Sequence, residues 1–291
     1  MVFDQSSNLT RATSIIASPE NDEFELKFAE VLAMAEENAW RTNAVLDETV
    51  LKDVRGNSMP QIPIWRLHLG ATSSFLGIIQ CLKTRYSSLG ALSLLRGLVE
   101  SWAHLHFIAD ETEPGTAAMR AIQFEAGVLS EWASIDKKNN PALDYAETMK
   151  RHQRSIMRLW RENGGDGEPR RRKYGDVNGT LEKIAVSPGL DRVQVLHAAS
   201  SSGVHVGASD FLLKSEPTSV TVTWITPGRR CAWLQLAIMS FDYLTLSALS
   251  AKPVAATDAV IQDLHIRWQN LYNSPFLTAV VATEVEEEGS L

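Results

Sequence analysis

Apolar residues recur every third or fourth position along most of this chain, which is the signature of helices burying one face. The first clear run opens at Ser18-Pro19-Glu20, where a capping hydroxyl, a proline and an acid stand in the order a helix start requires. Phe24, Phe28, Val31, Leu32 and Ala35 then follow at helical spacing, and the pattern runs to about Asp53 before Arg55 to Pro60 closes it. The same reading predicts a second helix from Pro63 through Tyr86 and a third from Leu89 to about Asp110. A fourth follows from Glu113-Pro114-Gly115 through Asp136, and a fifth from Asn140-Pro141 through Glu162. Asn163 to Gly179 reads as a loop from its glycines and charges, with short helices beginning at Thr180 and Pro188. Alternating Val220, Val222 and Trp224 opposite Phe211 to Lys214 predicts a hairpin about Ser215 to Ser219. A long apolar helix then runs from Thr226-Pro227 to Lys252-Pro253, and a last one from Thr257 through Tyr272. The expected fold is an all-α multi-helix bundle with one small β-hairpin. Residues 1–18 are expected to be mobile, 19–273 to form one helical domain, and 274–291 to be a solvated acidic tail carrying Glu284 and Glu286 to Glu288.

Composition narrows the class without changing this picture. With 291 residues, 44% of them hydrophobic, and two cysteines, the chain is neither a disulfide scaffold nor a disordered polymer. Leu89 to Ala109 and Cys231 to Ala251 are apolar enough to test as membrane spans. The first holds Arg96, Glu100, His104 and His106, and the second holds Gln235 and Asp242. Those groups are costly at a bilayer centre, so both stretches are expected to be buried helices and no membrane partner is expected. The first twenty residues lack the basic start and apolar centre of an export signal, so a cytoplasmic location is expected. Cys81 and Cys231 each stand alone in apolar runs and read as reduced thiols. Trp40, Trp65, Trp102, Trp132, Trp160, Trp233 and Trp268 fall about one to a helix without matching neighbours. They read as core and rim packing residues, not as a repeat.

Polar positions inside the third helix are ordered. Ser93, Arg96, Glu100 and His104 lie three or four residues apart, so they fall near one line of the helix surface. Arg96 and Glu100 are placed to pair, as a core network that fixes helix docking or as the wall of a polar pocket. A di-iron centre in a bundle needs Glu-x-x-His twice, and here Glu100-x-x-x-His104 occurs once, so no metal and no cofactor is expected.

Charge is unevenly distributed. The net charge of −7 hides nine lysines and arginines against three acids between Lys150 and Lys173, a local +6 that leaves −13 elsewhere. Arg151, Arg154, Arg158 and Arg161 share one face of the fifth helix, and Arg170, Arg171, Arg172 and Lys173 continue the charge in the loop. Arginine forks suit phosphate oxygens, so RNA or another polyanion is an expected partner. The alternative is a solvated face, partnered by the acidic tail.

No nucleophile elbow, P-loop, dinucleotide glycine pattern or zinc-protease helix occurs in the chain. Arg192-x-x-x-x-His197 resembles the signature of the HEPN superfamily. That resemblance implies an all-helical bundle, a homodimer, and metal-independent RNA cleavage in a prokaryotic defence or stress system. In it a histidine moves protons at the ribose 2′-hydroxyl and an arginine steadies charge on phosphorus. Residues five apart on a helix point about 140° apart, so such a site needs a helix break or a second subunit. A second resemblance covers more of the chain. Leu94-Leu95-Arg96 and Glu100, with a distant serine-rich turn ending in Val204-His205, look like an uncharacterised family of all-helical bacterial proteins. It implies that Arg96, Glu100, Ser201 or Ser202, and His205 converge. The candidate catalytic residues are therefore Arg192, His197, His205, Arg96 and Glu100. The rival reading is a non-catalytic helical module with a structural Arg–Glu–His network.

Overall fold

The computed structural model describes residues 22–51, 60–84, 88–139, 146–172, 175–187, 190–191, 193–194, 197, 213–216, 219–222, 226–250 and 258–289. Its helices are α1 (Asp22–Leu51), α2 (Gln61–Leu82), α3 (Ser88–Ala109), α4 (Ala117–Asn139), α5 (Ala146–Glu162), α6 (Gly175–Ala185), α7 (Pro227–Ser250), α8 (Asp258–Tyr272) and α9 (Pro275–Gly289). The architecture is an all-α bundle. The two stretches that are apolar nearly all round, α3 and α7, occupy its centre, because only an interior helix can bury every face. α3 packs against α2, α4, α6 and α7, while α7 also meets α1, α2, α8 and α9. α7 is long and apolar enough to cross a membrane, and most of it is buried within the bundle.

α2 and α3 approach closely because small residues line their seam. A Cβ on Gly77 would stand 2.8 Å from Leu94 Cδ1, and one on Gly90 would stand 3.0 Å from Cys81 Sγ. On the far side of α2, rings close the interior. Phe75 stacks on Phe241 at 4.8 Å, and Trp268 meets both edge-on at 5.4 Å. Trp268 donates its indole N–H to Thr42 Oγ1 at 3.2 Å, so its polar atom is satisfied in the core. His68 lies beside Phe241, and burial pushes its pKa down to about 3, which keeps it neutral.

Two buried arginines tie helix ends together. Arg120 of α4 donates to the carbonyls of Ile108, Glu113 and Gly115, so one guanidinium satisfies the open end of α3 and the turn that follows. Arg230, in the first turn of α7, grips Glu25 of α1 with both terminal nitrogens at 2.6 and 3.1 Å. It also donates to the Leu82 carbonyl at the end of α2.

Several sequence expectations need correction. α6 begins at Gly175, not Thr180, inside the stretch read as loop. Residues 274–291 are not a solvated tail from their start. α9 buries Leu277 and packs Phe276, Val280 and Val281 on the core, because the apolar half of that segment precedes its acids. Trp40 and Trp132 are 55% and 67% exposed and so are not core residues. The opening signal at Ser18 and the start of the fifth helix at Asn140 lie outside the described residues. Backbone pairing joins Leu213–Glu216 antiparallel to Ser219–Val222, but this local ladder adds no layer to the all-α frame.

Candidate functional site

The polar line on α3 meets a residue distant in sequence. Arg96 Nε donates to Glu100 Oε1 at 2.8 Å, one helical turn away, and His197 Nε2 lies 3.5 Å from the same oxygen. All three side chains are largely withdrawn from solvent, at 19%, 25% and 10% exposure. Val193, four residues before His197 in the sequence, is wholly buried in the core of the bundle. Glu100 is therefore shared between a guanidinium and an imidazole, an arrangement that orients the histidine ring. Ser93, on the same line, is exposed.

One turn further along α3, His104 has a different partner. Arg172 Nε donates to His104 Nδ1 at 3.1 Å, and its terminal nitrogen donates to Thr180 Oγ1 at 2.7 Å. Its guanidinium carbon lies 4.0 Å above the centre of the Phe107 ring. A guanidinium only donates, so Nδ1 of His104 must accept and the ring proton resides on Nε2. Burial first, and Arg172 second, push the His104 pKa down to about 4. Burial likewise lowers Arg172 to about 10, far above neutral pH, so it remains a cation. Arg172 is thus no surface phosphate ligand as the run Arg170 to Lys173 implied. Its side chain turns inward because the loop crosses α4 at Gly127, where a Cβ would meet the Arg172 carbonyl oxygen at 2.1 Å. The Arg172 N–H donates to the Gln123 carbonyl at 3.2 Å and holds the crossing in place.

The loop that carries Arg172 is folded, not open. Gly164 and Gly167 adopt φ of 84° and 62°, left-handed values that favour glycine. A Cβ on Gly165 would strike the Trp160 ring at 2.2 Å, and Trp160 donates its indole N–H to the Asp166 carbonyl at 3.1 Å. This bracket leaves Arg170 and Arg171 at the surface, where they meet Asp176 at 3.0 Å and Ser130 Oγ at 3.2 Å.

α5 presents Arg151, Arg154, Arg158 and Arg161 to solvent, all on one side of a helix whose opposite side carries the buried Trp160. Arg154, Arg158 and Arg161, with Lys150 and Glu162, wall an open groove that has Met157 and Gln153 in it. Arg154 pairs with Glu147 at 2.9 Å and Arg158 with Glu162 at 3.7 Å, both exposed. Lys173, Arg192, Ser201, Ser202 and His205 lie outside the described residues. The structure accordingly brings together Arg96, Glu100 and His197 of the candidate catalytic set.

A cluster that the sequence reading did not single out lies between α7 and α8. Asp242, nearly inaccessible, accepts from Gln269 Nε2 at 2.9 Å, and His265 Nδ1 stands 2.8 Å from it. Burial raises the Asp242 pKa, and its two hydrogen bonds oppose that rise. The available signal was Asp242 itself, the only acid in an otherwise apolar helix. Among the described residues, no three His, Cys, Asp or Glu side chains are grouped to hold a metal ion. No protein-family model, curated protein or solved structure matches this chain.

Proposed function

We propose that this chain is a cytoplasmic, homodimeric RNA-binding protein of HEPN-like type, and a metal-independent endoribonuclease of a prokaryotic defence or stress system. The observation that carries the reading is the exposed arginine face of α5, which runs into a folded loop whose last arginine is anchored on the polar line of α3. RNA lies along that face, its phosphates held by Arg151, Arg154, Arg158 and Arg161 and by Arg170 and Arg171. Arg96, Glu100 and His197 form the acid–base centre, with Arg192 and His205 as further members. His197, oriented by Glu100, takes the proton from a ribose 2′-hydroxyl. The 2′-oxygen then attacks phosphorus and the bond to the 5′-oxygen breaks, leaving a 2′,3′-cyclic phosphate and a new 5′-hydroxyl whose proton comes from the protonated His197. An arginine offsets the charge that builds on the phosphoryl oxygens. The small hairpin about residues 213–222 is an appendage on the stretch between this centre and α7.

A second reading has its own support. Glu100 holds Arg96 and His197 in one partly buried network, the form of a structural tie in a non-catalytic binding module. Incubating purified protein with end-labelled RNA in EDTA separates the two. Cleavage that disappears in His197→Ala and Glu100→Gln, with helical circular dichroism retained, supports the nuclease. Binding without cleavage leaves the second reading. Failure to bind RNA at low salt overturns the nuclease and leaves the second reading.

A further inference from the structure

Among the described residues, the arginine face of α5 combines strong positive charge with no aromatic side chain of its own. Lys150, Arg154, Arg158 and Arg161 fall within an arc of about 80° on a 3.6-residue helix, with Arg151 at its edge. Successive members climb about 4.5 to 6 Å along the axis, the scale on which phosphates follow one another in a nucleic-acid strand. Among the described residues, exposed acids pair with two of them. Glu147 meets Arg154 and Glu162 meets Arg158, and such solvent-exposed pairs are weak enough for an incoming phosphate to displace.

Reading bases would require aromatic platforms; His152 stands about 120° or more around the helix from that arc, and the indole of this helix is already committed. Trp160 is buried, its ring is covered by Gly165, and its indole N–H is given to the Asp166 carbonyl. The uncharged residues of the groove are Gln153 and Met157. Trp132, the exposed aromatic of α4, stands about 140° around that helix from Gly127, where the arginine loop crosses, and so points away from Arg170 and Arg171. Strand readers that discriminate bases stack them on aromatic side chains and line a concave groove. α5 instead packs chiefly on α4, and its open groove, walled by Lys150, Arg154, Arg158 and Arg161 together with Glu162, has no aromatic ring in its lining.

We infer that α5 and the turn at Arg170 and Arg171 read the phosphate backbone alone, so that the nucleic acid is recognised by its phosphate density and not by its bases. This rests on the proposed RNA binding at the same face. The test measures binding of the full chain by fluorescence anisotropy to poly(A), poly(U) and duplex RNA of equal length, with long-chain inorganic polyphosphate as competitor. Poly(A) and poly(U) are expected to bind within two-fold of each other, the duplex to bind at least as tightly, and polyphosphate to displace all three. The salt slope is expected to fall by about one for each of Arg154→Gln, Arg158→Gln and Arg161→Gln, and Trp132→Ala to leave affinity within two-fold. A preference above ten-fold between poly(A) and poly(U), a ten-fold loss in Trp132→Ala, or failure of polyphosphate to compete overturns this inference while leaving RNA binding intact. No binding to any of the probes at low salt overturns both.

Discussion

Around Phe75 the bundle is filled by rings, whereas around Phe107 it is filled by a guanidinium and its acceptors. In the first region Phe241 and Trp268 close on Phe75, and the buried His68 sits among them as a neutral ring. In the second, Arg172 covers Phe107 while its nitrogens reach His104 and Thr180. Apolar contacts are indifferent to direction and scale with area, so the ring region depends on volume. Hydrogen bonds to a buried cation need particular partners, so the arginine region depends on identity. The same bundle is therefore tolerant of different substitutions in these two regions.

Removing volume should damage the ring region most. Trp268→Ala is expected to cost about 3–5 kcal/mol in urea denaturation, as large-to-small changes of buried aromatics do. A loss under 1 kcal/mol would show that the rings there do not carry the packing assigned to them. Acid titration reaches both regions at once. His68 and His104 are each held neutral by burial, with pKa values lowered to about 3 and about 4 from 6.5. In the unfolded chain both bind protons below about pH 6.5. The stability they contribute is therefore complete above that value and drains away as pH falls through it toward 4. The expected slope is about 1.4 kcal/mol per pH unit for each histidine. His68→Gln and His104→Gln should each flatten the measured pH dependence by one proton, and an unchanged slope in either variant would remove that histidine from the account.

Identity, not volume, should govern the arginine region. Arg172→Met fills similar space but leaves His104 Nδ1 and Thr180 Oγ1 without their donor, at an expected cost of about 1–3 kcal/mol. Arg172→Lys should recover little of it, because a single ammonium cannot supply the two-pronged geometry. Full rescue by lysine would make charge alone sufficient. The smallest effect belongs at the surface. Glu147→Gln, which frees Arg154, is expected to change stability by less than about 1 kcal/mol while tightening RNA binding at low salt.

How far the sequence foretold these regions follows from the kind of force each uses. Helical periodicity exposed α1, α2, α3 and α7 because burial imposes a 3.6-residue repeat on any chain that packs this way. The pairing of Arg96 with Glu100 was legible for the same reason, one turn being a local distance. His197 meeting Glu100 was not, since a contact between residues about a hundred positions apart leaves no local pattern. Arg172 was misread because a charge run looks uniform in sequence, while a loop can turn one arginine inward and two outward. Gly127 and Gly165 were the faint signals, as each lies where another part of the chain comes too close for a Cβ. α9 was missed because its terminal glutamates outweighed the preceding Phe276, Leu277, Val280 and Val281.

The folded bracket over α4 also sets a threshold for proteolysis. Arg170, Arg171 and Arg172 stand in series on a connecting segment, an obvious target for a protease that cleaves after arginine. Such an enzyme must draw several residues into an extended strand. Here the Arg172 N–H is bonded to Gln123, its side chain is inserted under the surface, and Trp160 holds Asp166. Cutting must wait for this segment to detach, so the rate of tryptic nicking becomes a clock for one local opening event. Polyanion bound across Arg170 and Arg171 should slow that clock, which makes occupancy of the surface readable from a gel.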